Sequence, residues 1–489
     1  MDGAQETKEV FKNAELVCRV AGVISGLMLA AANIYPMAAP LQLVAFIGVL
    51  YLAASGVRSG AMLAAGIYMG LAYSLPQMFL LRLPVPMTLI LLAEMTIVMA
   101  VFAWGCGKLI NRSAIMGAFA VGAFLVVLDW MSFTAVPIWG TAQSLGRCWS
   151  RYPSVIGFSE FTGITGIVFV IGTLQTLAVN FILRPKEREK LAVTGAAVIL
   201  VIAGVDTAVR YQHPIGTLKV GAIGWTLNDS AKYGKVYSPI GFESLFTEPA
   251  RRAAKEGAKL IVSPELGFEF GGNIREEWVE KFRQIAAECN VFLAIGYFDT
   301  DEEKNKLMFM SDKGKVIGEY IKTHLTAFED YHKGDGRLET IEVCGIRVGG
   351  MICQDDNFTR LSREYGRREV GVVAVPTLDW FQVKDAHLQN SKHRAIESRY
   401  AVVRASLNGI SAIISPKGEI VAVKDHFKEG AGVIVAEVPI YTGQTLFSRS
   451  GHWPVGVSMV FLACWIVKRL WQAEIMKDMI VTNCEGTKL

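Results

Sequence analysis

Val348-Gly349-Gly350-Met351-Ile352-Cys353-Gln354-Asp355-Asp356 is an apolar run that ends in one cysteine followed at once by acidic residues. Two other short β-like runs also end in a reactive side chain. One is Ile261-Val262-Ser263-Pro264-Glu265, the other Tyr320-Ile321-Lys322-Thr323-His324-Leu325. Strand ends are where side chains from distant parts of a sheet converge on one cleft. The three endings therefore predict a single site of Glu265, Lys322 and Cys353. A thiol attacks a carbonyl only as thiolate, so it needs a base or a cation beside it. Glu265 suits the base that takes the thiol proton and returns it to a leaving amine or alcohol, and Lys322 suits the oxyanion stabiliser. These residue types are common, however. From composition alone, a buried strand cysteine reads first as inert packing.

The 489 residues are 52% hydrophobic and 19% charged, with mean hydropathy +0.35. That is too apolar for an ordinary soluble protein and too long for one domain. The excess is uneven: residues 14–209 are nearly a string of hydrophobic segments, 215–445 have globular composition, and one more apolar segment follows. Candidate spans cover 14–36, 41–55, 60–81, 87–107, 113–133, 159–183, 190–209 and 453–470, judged against the roughly 20 apolar residues that cross a bilayer. The second is short and pairs with the first as a hairpin. Because no small-residue cleavage site precedes the further spans, the first reads as a retained helix and not a signal peptide. The predicted domains are 1–212 with about seven spans, a globular 213–448, and 449–489 with the final span and a cytoplasmic tail.

Alternate loops carry Lys8 and Lys12, Arg58, Lys108 and Arg112, the cluster Arg184-Pro185-Lys186-Glu187-Arg188-Glu189-Lys190, and then Lys468 and Arg469. Basic loops stay in the cytoplasm, which puts 213–448 on the far side, in the periplasm or outside the cell. The net charge of +4 comes from dispersed residues and predicts no nucleic-acid partner. Eight cysteines without CxxC pairs and seven histidines not spaced as ligands predict no metal site. No cofactor is called for either. A Cys289–Cys344 disulfide is left open. Inside the spans, Glu94 and Asp129 are ionisable where charge is costly; an internally hydrogen-bonded helix contact is the plainer reading, a headgroup or amine site the sharper one. The loop from Val136 to Gly157, with Trp139, Trp149, Tyr152, Arg147 and Arg151, reads as an interface belt first and as anionic headgroup contact second.

From 215 the period changes. Strand-like runs at Leu218–Trp225, Leu260–Ser263, Val291–Tyr297, Leu307–Met310, Val370–Pro376, Ala412–Ser415, Ile420–Val423 and Gly432–Val438 alternate with helical stretches at 240–256, 276–289, 357–369 and 384–400. This alternation predicts a layered α/β domain.

The words around the three residues carry a resemblance. They are Gly257-Ala258-Lys259-Leu260-Ile261-Val262-Ser263-Pro264-Glu265, Lys322-Thr323-His324-Leu325 followed by Phe328, and Met351-Ile352-Cys353. Downstream come Leu378-Asp379-Trp380-Phe381, His387-Leu388-Gln389 and the run from Arg394 to Ala412. In the membrane half, Asp129-Trp130, Pro137-Ile138-Trp139 and Gly163-Ile164-Thr165-Gly166 match more loosely. In this order they resemble the nitrilase superfamily and, with the spans, the apolipoprotein N-acyltransferase family. The resemblance implies a nitrilase-like α-β-β-α sandwich inserted in a multi-pass helical membrane domain of about eight spans, in the bacterial inner membrane. It implies Glu265 as general base, Lys322 as catalytic lysine and Cys353 as acylated nucleophile. Asp330 and Asp355 fall where the family usually has glutamates and are the supporting carboxylates. Gln354 stands for an expected aromatic, and with Trp380 and His387 it makes up the predicted substrate contacts. The stretch between Asp330 and Cys353 is short and polar (Tyr331-His332-Lys333-Gly334-Asp335-Gly336-Arg337), where the family carries a longer apolar arm. The implied reaction moves an acyl chain from a phospholipid to Cys353 and on to an amine, foremost the N-terminal diacylglyceryl-cysteine of a lipoprotein. A membrane-anchored amidase using the same residues is the alternative, and a non-catalytic binding protein the third reading.

Overall fold

The computed structural model describes residues 2–111, 113–233 and 235–485; Arg112 and the end of the predicted tail lie outside them. Its first half is helical: α1 (Asp2–Ile34), α2 (Ile47–Ala54), α3 (Ser59–Leu81), α4 (Val85–Leu109), α5 (Ala114–Ala135), α6 (Ile164–Leu183) and α7 (Arg188–Arg210). Among the described residues, seven segments are long and apolar enough to cross a membrane. The predicted short second span is a composite, a 3-10 turn over Pro36–Leu43 followed by α2. Pro36 and Pro40 lack the N–H that a regular helix needs there. Glycines set the close packing of α1, α3 and α4. A Cβ on Gly22 would lie 2.1 Å from the Ala65 carbonyl oxygen, and one on Gly66 2.4 Å from that of Met99. Such small-residue contacts replace the hydrophobic effect as the packing force in lipid.

The second half is an α-β-β-α sandwich. One sheet has β1 (Gly216–Gly224), β2 (Leu260–Val262), β3 (Phe268–Phe270), β4 (Phe292–Asp299), β5 (Lys304–Met310) and β6 (Val316–Ile321). The other has β7 (Thr340–Val343), β8 (Ile346–Gly350), β9 (Val372–Leu378), β10 (Ala401–Leu407), β11 (Ile410–Ile414) and β12 (Ile420–Asp425). The last strand, β13 (Gly432–Ile440), returns to pair antiparallel with β1, giving the orders β13-β1-β2-β4-β5-β6, with β3 on β4, and β12-β11-β10-β9-β8-β7. Alternate residues explain the layers: Leu218, Val220 and Ala222 face Val348, Val372 and Val402 of the other sheet. On the outer side of the first sheet, Ile223, Ile261 and Ile295 meet Phe246, Trp278 and Phe282. Three helices matter for the site: α8 (Arg275–Cys289), α9 (Thr359–Arg367) and α10 (Lys384–Ser398).

Helix α10 is buried along its length from His387 to Ser398, because the membrane half covers it. Ile396 joins the core of the helical half. Glu397 Oε1 accepts from the Ile164 backbone N–H at 2.8 Å, placing a carboxylate at the positive end of α6. The Gln354 amide donates to the Ile138 carbonyl at 2.6 Å, and Thr141 Oγ to that of Asn357 at 3.0 Å. The loop that carries Cys353 is thus fastened directly to the membrane half. The final helix, α11 (Trp453–Glu485), continues well past 470, where the sequence reading ended the span in a tail. Cys289 and Cys344 are both free.

Candidate active site

Glu265 follows β2, Lys322 follows β6 and Cys353 follows β8, so both sheets deliver side chains to one end of the sandwich. Glu265 and Lys322 are each 1% exposed and Cys353 6%. Lys322 Nζ lies 2.7 Å from Glu265 Oε1 and 2.6 Å from Glu329 Oε1. The remaining acceptors of both carboxylates are satisfied. Asn305 Nδ2 donates to Glu265 Oε1 at 2.7 Å, the Leu378 N–H to Oε2 at 2.6 Å, and the Thr326 N–H to Glu329 Oε2 at 2.8 Å. Buried ions tolerate removal from water only when paired and hydrogen-bonded in this way.

The electrostatics follow from the burial. Desolvation draws the Lys322 ammonium down, but the charges of Glu265 first and then Glu329 outweigh it and hold the lysine above its usual range. Burial, and then Glu265, push the Cys353 thiol well above its ordinary value, with Lys322 pulling the other way. Burial also raises Glu329. The resting thiol is therefore protonated and hands its proton over as it attacks. Cys353 itself has φ +47°, a conformation that costs a non-glycine residue energy and turns its side chain out of the strand line.

Two predicted supports are placed differently from each other. Asp355 is fully buried, and its short arm suffices. It accepts from Tyr320 OH (2.7 Å), the Thr323 N–H (3.2 Å), the His324 N–H (2.7 Å) and the Ile352 N–H (3.2 Å), with His324 Nδ1 at 2.9 Å. One carboxylate thereby locks the lysine strand end to the nucleophile loop. Asp330 is a correction. It is exposed and outside the cluster, and the carboxylate on Lys322 belongs to its neighbour Glu329, a full-length glutamate. The segment after Lys322 is irregular, without a helical or strand period to set which neighbour turns inward.

The proposed substrate contacts divide as well. Trp380 lines the cavity described below and packs against Trp139 and Phe328. Gln354 also lines it, but its amide is committed to Ile138 and its carbonyl to Asn357 Nδ2 at 2.9 Å. His387 belongs to a charged network unread from sequence. Its Nδ1 lies 2.7 Å from Asp379 and its Nε2 3.2 Å from Asp356, while Arg404 reaches Asp379 at 2.7 Å. Burial and Arg404 lower the His387 pKa, but Asp379 and Asp356 prevail and raise it to about 9. Cys353, Asp379 and His387 bring one donor atom each within 4.8 Å of one another, the arrangement among the described residues that would hold a metal ion. Both nitrogens of His387 already face carboxylates, and the Arg404 guanidinium beside Asp379 repels a dication. The geometry is that of an ion-pair network. His332, in the short polar stretch before Cys353, lies 3.0 Å through its Nδ1 from the Glu302 carbonyl oxygen.

A cavity of about 460 Å³ starts at Cys353 and runs into the helical half. Ser74, Gln77, Met78 and Leu81 of α3 line it, at the i, i+3, i+4, i+7 spacing of one helix face, together with Leu91 and Met95 of α4. Phe328, Tyr331, Trp139 and Trp380 close its other walls. The arrangement can hold an acyl chain with its carbonyl at the thiol.

Known proteins share parts of this architecture. The carbon-nitrogen hydrolase family matches residues 237–446. An apolipoprotein N-acyltransferase of Geobacter metallireducens is 26% identical over 345 residues, 63% of this chain and 66% of that protein. One of Chromobacterium violaceum is 24% identical over 403 residues, 76% of each. An amidase from Nesterenkonia sp. aligns with a TM-score of 0.38 and 19% identity, over 48% of this chain and 94% of that one. Sandwich, buried Glu-Lys-Cys centre and helical half define a membrane-embedded member of the nitrilase superfamily. Within that class, the chain is similar to the apolipoprotein N-acyltransferases.

The raised His387 pKa gives a prediction with a definite sign. A group held above its ordinary value of 6.5 contributes stability that is full below that value and lost as pH rises through about 9. His387→Gln should unfold at a clearly lower temperature than wild type near pH 7, and the gap should close toward pH 10. A gap that is constant with pH would show that His387 is not held as imidazolium.

Proposed function

We propose that the protein is a membrane N-acyltransferase. It moves an acyl chain from a phospholipid through a Cys353 thioester to an amine, foremost the N-terminal diacylglyceryl-cysteine of a lipoprotein; its relatives are named as N-acyltransferases of apolipoprotein. The observation that carries this reading is the cavity linking Cys353 to the faces of α3 and α4. A soluble amide needs no such passage, whereas an ester borne by the bilayer does.

In the first half-reaction Cys353 Sγ attacks the ester carbonyl while Glu265 takes the thiol proton. Lys322 stands beside the developing oxyanion, its charge maintained by Glu265 and Glu329. Collapse breaks the ester C–O bond, and the leaving alkoxide recovers the proton from Glu265, giving lysophospholipid and thioester. In the second, the acceptor amine attacks the thioester, Glu265 takes the amine proton, and the thiolate departs and is reprotonated. The apolar cavity wall keeps water from competing with the amine. Confinement of both lipids to one bilayer raises their effective concentration.

The domains are 1–212, 213–448 and 449–489, with the sandwich on the periplasmic or external side. The loop charges support this orientation.

Full-length protein incubated with phospholipid and a synthetic diacylglyceryl-cysteine peptide should yield lysophospholipid and N-acylated peptide in equal amounts. Release of free fatty acid with no peptide acylation would contradict transfer and point to a hydrolase. In the same assay Glu329→Gln should lower turnover about a hundredfold, the scale for losing one preorganised electrostatic partner. Asp330→Asn should stay within about twofold, as an exposed substitution away from the cluster.

A further inference from the structure

The cavity is not uniformly apolar. Arg147 lines it, in the loop between α5 and α6, and its guanidinium is held at one edge. Nη1 donates to the Ala142 carbonyl at 2.8 Å and Nη2 to that of Asn33, near the end of α1, at 3.3 Å. Those bonds use two of five N–H donors, and Nε is buried without an acceptor among the described residues. No carboxylate among the described residues lies within ion-pair distance of it, and the titratable groups facing it are Tyr73 and Cys148. The two membrane carboxyls of this region are engaged elsewhere: Asp129 accepts from Ser144 Oγ at 2.7 Å and the Leu145 N–H at 2.8 Å, and Glu94 stands beside Ser132 and Gln143. Three further donors line the same cavity without an acceptor among the described residues, Trp139 Nε1, Gln143 Nε2 and Ser74 Oγ, the last on a side chain 2% exposed. By contrast, the other ionised groups lining the cavity are matched: Glu329 by Lys322, and Asp379 by His387 and Arg404.

An uncompensated cation in a largely apolar cavity is costly unless an anion completes it. A guanidinium with free N–H groups selects planar or tetrahedral oxyanions, and phosphate above all. We propose that Arg147, with Trp139 and Ser74, forms the subsite for the phosphodiester of the acyl donor, so that the protein discriminates glycerophospholipids from uncharged lipid esters. This rests on the acyltransferase reading. Anchoring the phosphate at Arg147 leaves the remainder of the cavity to guide the ester carbonyl to Cys353.

The test uses full-length protein in detergent and reads thioester formation at Cys353 with two donors, phosphatidylglycerol and a phosphate-free monoacylglycerol. Arg147→Gln should raise the half-saturating concentration of phosphatidylglycerol tenfold or more, about the effect of losing a hydrogen bond to a charged group. The change with monoacylglycerol should stay below about threefold, and Arg147→Lys should recover most of the phospholipid affinity. Equal losses on both donors, with unfolding temperatures like wild type, would overturn the subsite and leave Arg147 as a tie between α1 and the loop. Inorganic phosphate at millimolar concentration should compete weakly. Full competition that Arg147→Gln abolishes would make this a free-anion site and also overturn the proposal. If wild type forms a thioester with neither donor, the acyltransferase reading has failed and not this subsite alone.

Discussion

A lysine ammonium removed from water between two carboxylates is the constraint on which the rest of this structure depends. Lys322 is 1% exposed and touches Glu265 and Glu329 at hydrogen-bond distance. Such a cluster persists only if each partner is fixed and its remaining lone pairs are met. The fold supplies those fixings from both sheets: Asn305 from β5, the Leu378 N–H at the end of β9, and the Thr326 N–H after β6. Asp355 then joins the lysine strand end to the cysteine loop. The thiol that results is buried and held protonated, suited to a reaction in which proton transfer accompanies attack and unsuited to idle oxidation.

The second constraint is mechanical. The loop after Cys353 is hydrogen-bonded to the 138–141 segment of the helical half, and α10 lies beneath that half along most of its length. Gly140 permits the approach, since a Cβ there would stand 2.4 Å from the Asn357 carbonyl oxygen. Sandwich and helices are therefore one unit where chemistry happens, and the cavity walls are contributed by both. A substrate that resides in lipid reaches the thiol through one continuous cavity.

Much of this was legible before any coordinates. Glu265, Lys322 and Cys353 each end a short apolar run, and a strand end is a positional signal that survives without contacts. Long apolar segments declare themselves by length alone, although the short second span read at 41–55 hid its 3-10 half because hydropathy does not see hydrogen-bond pattern. Alternating periods predicted a layered α/β domain and the resemblance implied its α-β-β-α order, yet β10 went unread as a strand because every residue from Ala401 to Leu407 is buried and no polar alternation marks it. Glu329 against Asp330 was undecidable, two carboxylates side by side in a segment without period. Asn305, Asp356, Asp379 and Arg404 were unreadable as site residues, since their partners lie far away in sequence and only the folded sheets bring them together.

The central claim is that Cys353 accepts an acyl chain from a lipid held in the cavity between sandwich and helices. Intact-mass analysis of the full-length protein after exposure to phospholipid vesicles, beside Cys353→Ala, addresses it most directly. The account predicts an acyl-sized mass increase on wild type that hydroxylamine removes and that the alanine variant never shows. A wild-type protein whose mass stays unchanged, while its thiol still reacts with small electrophiles, would contradict it.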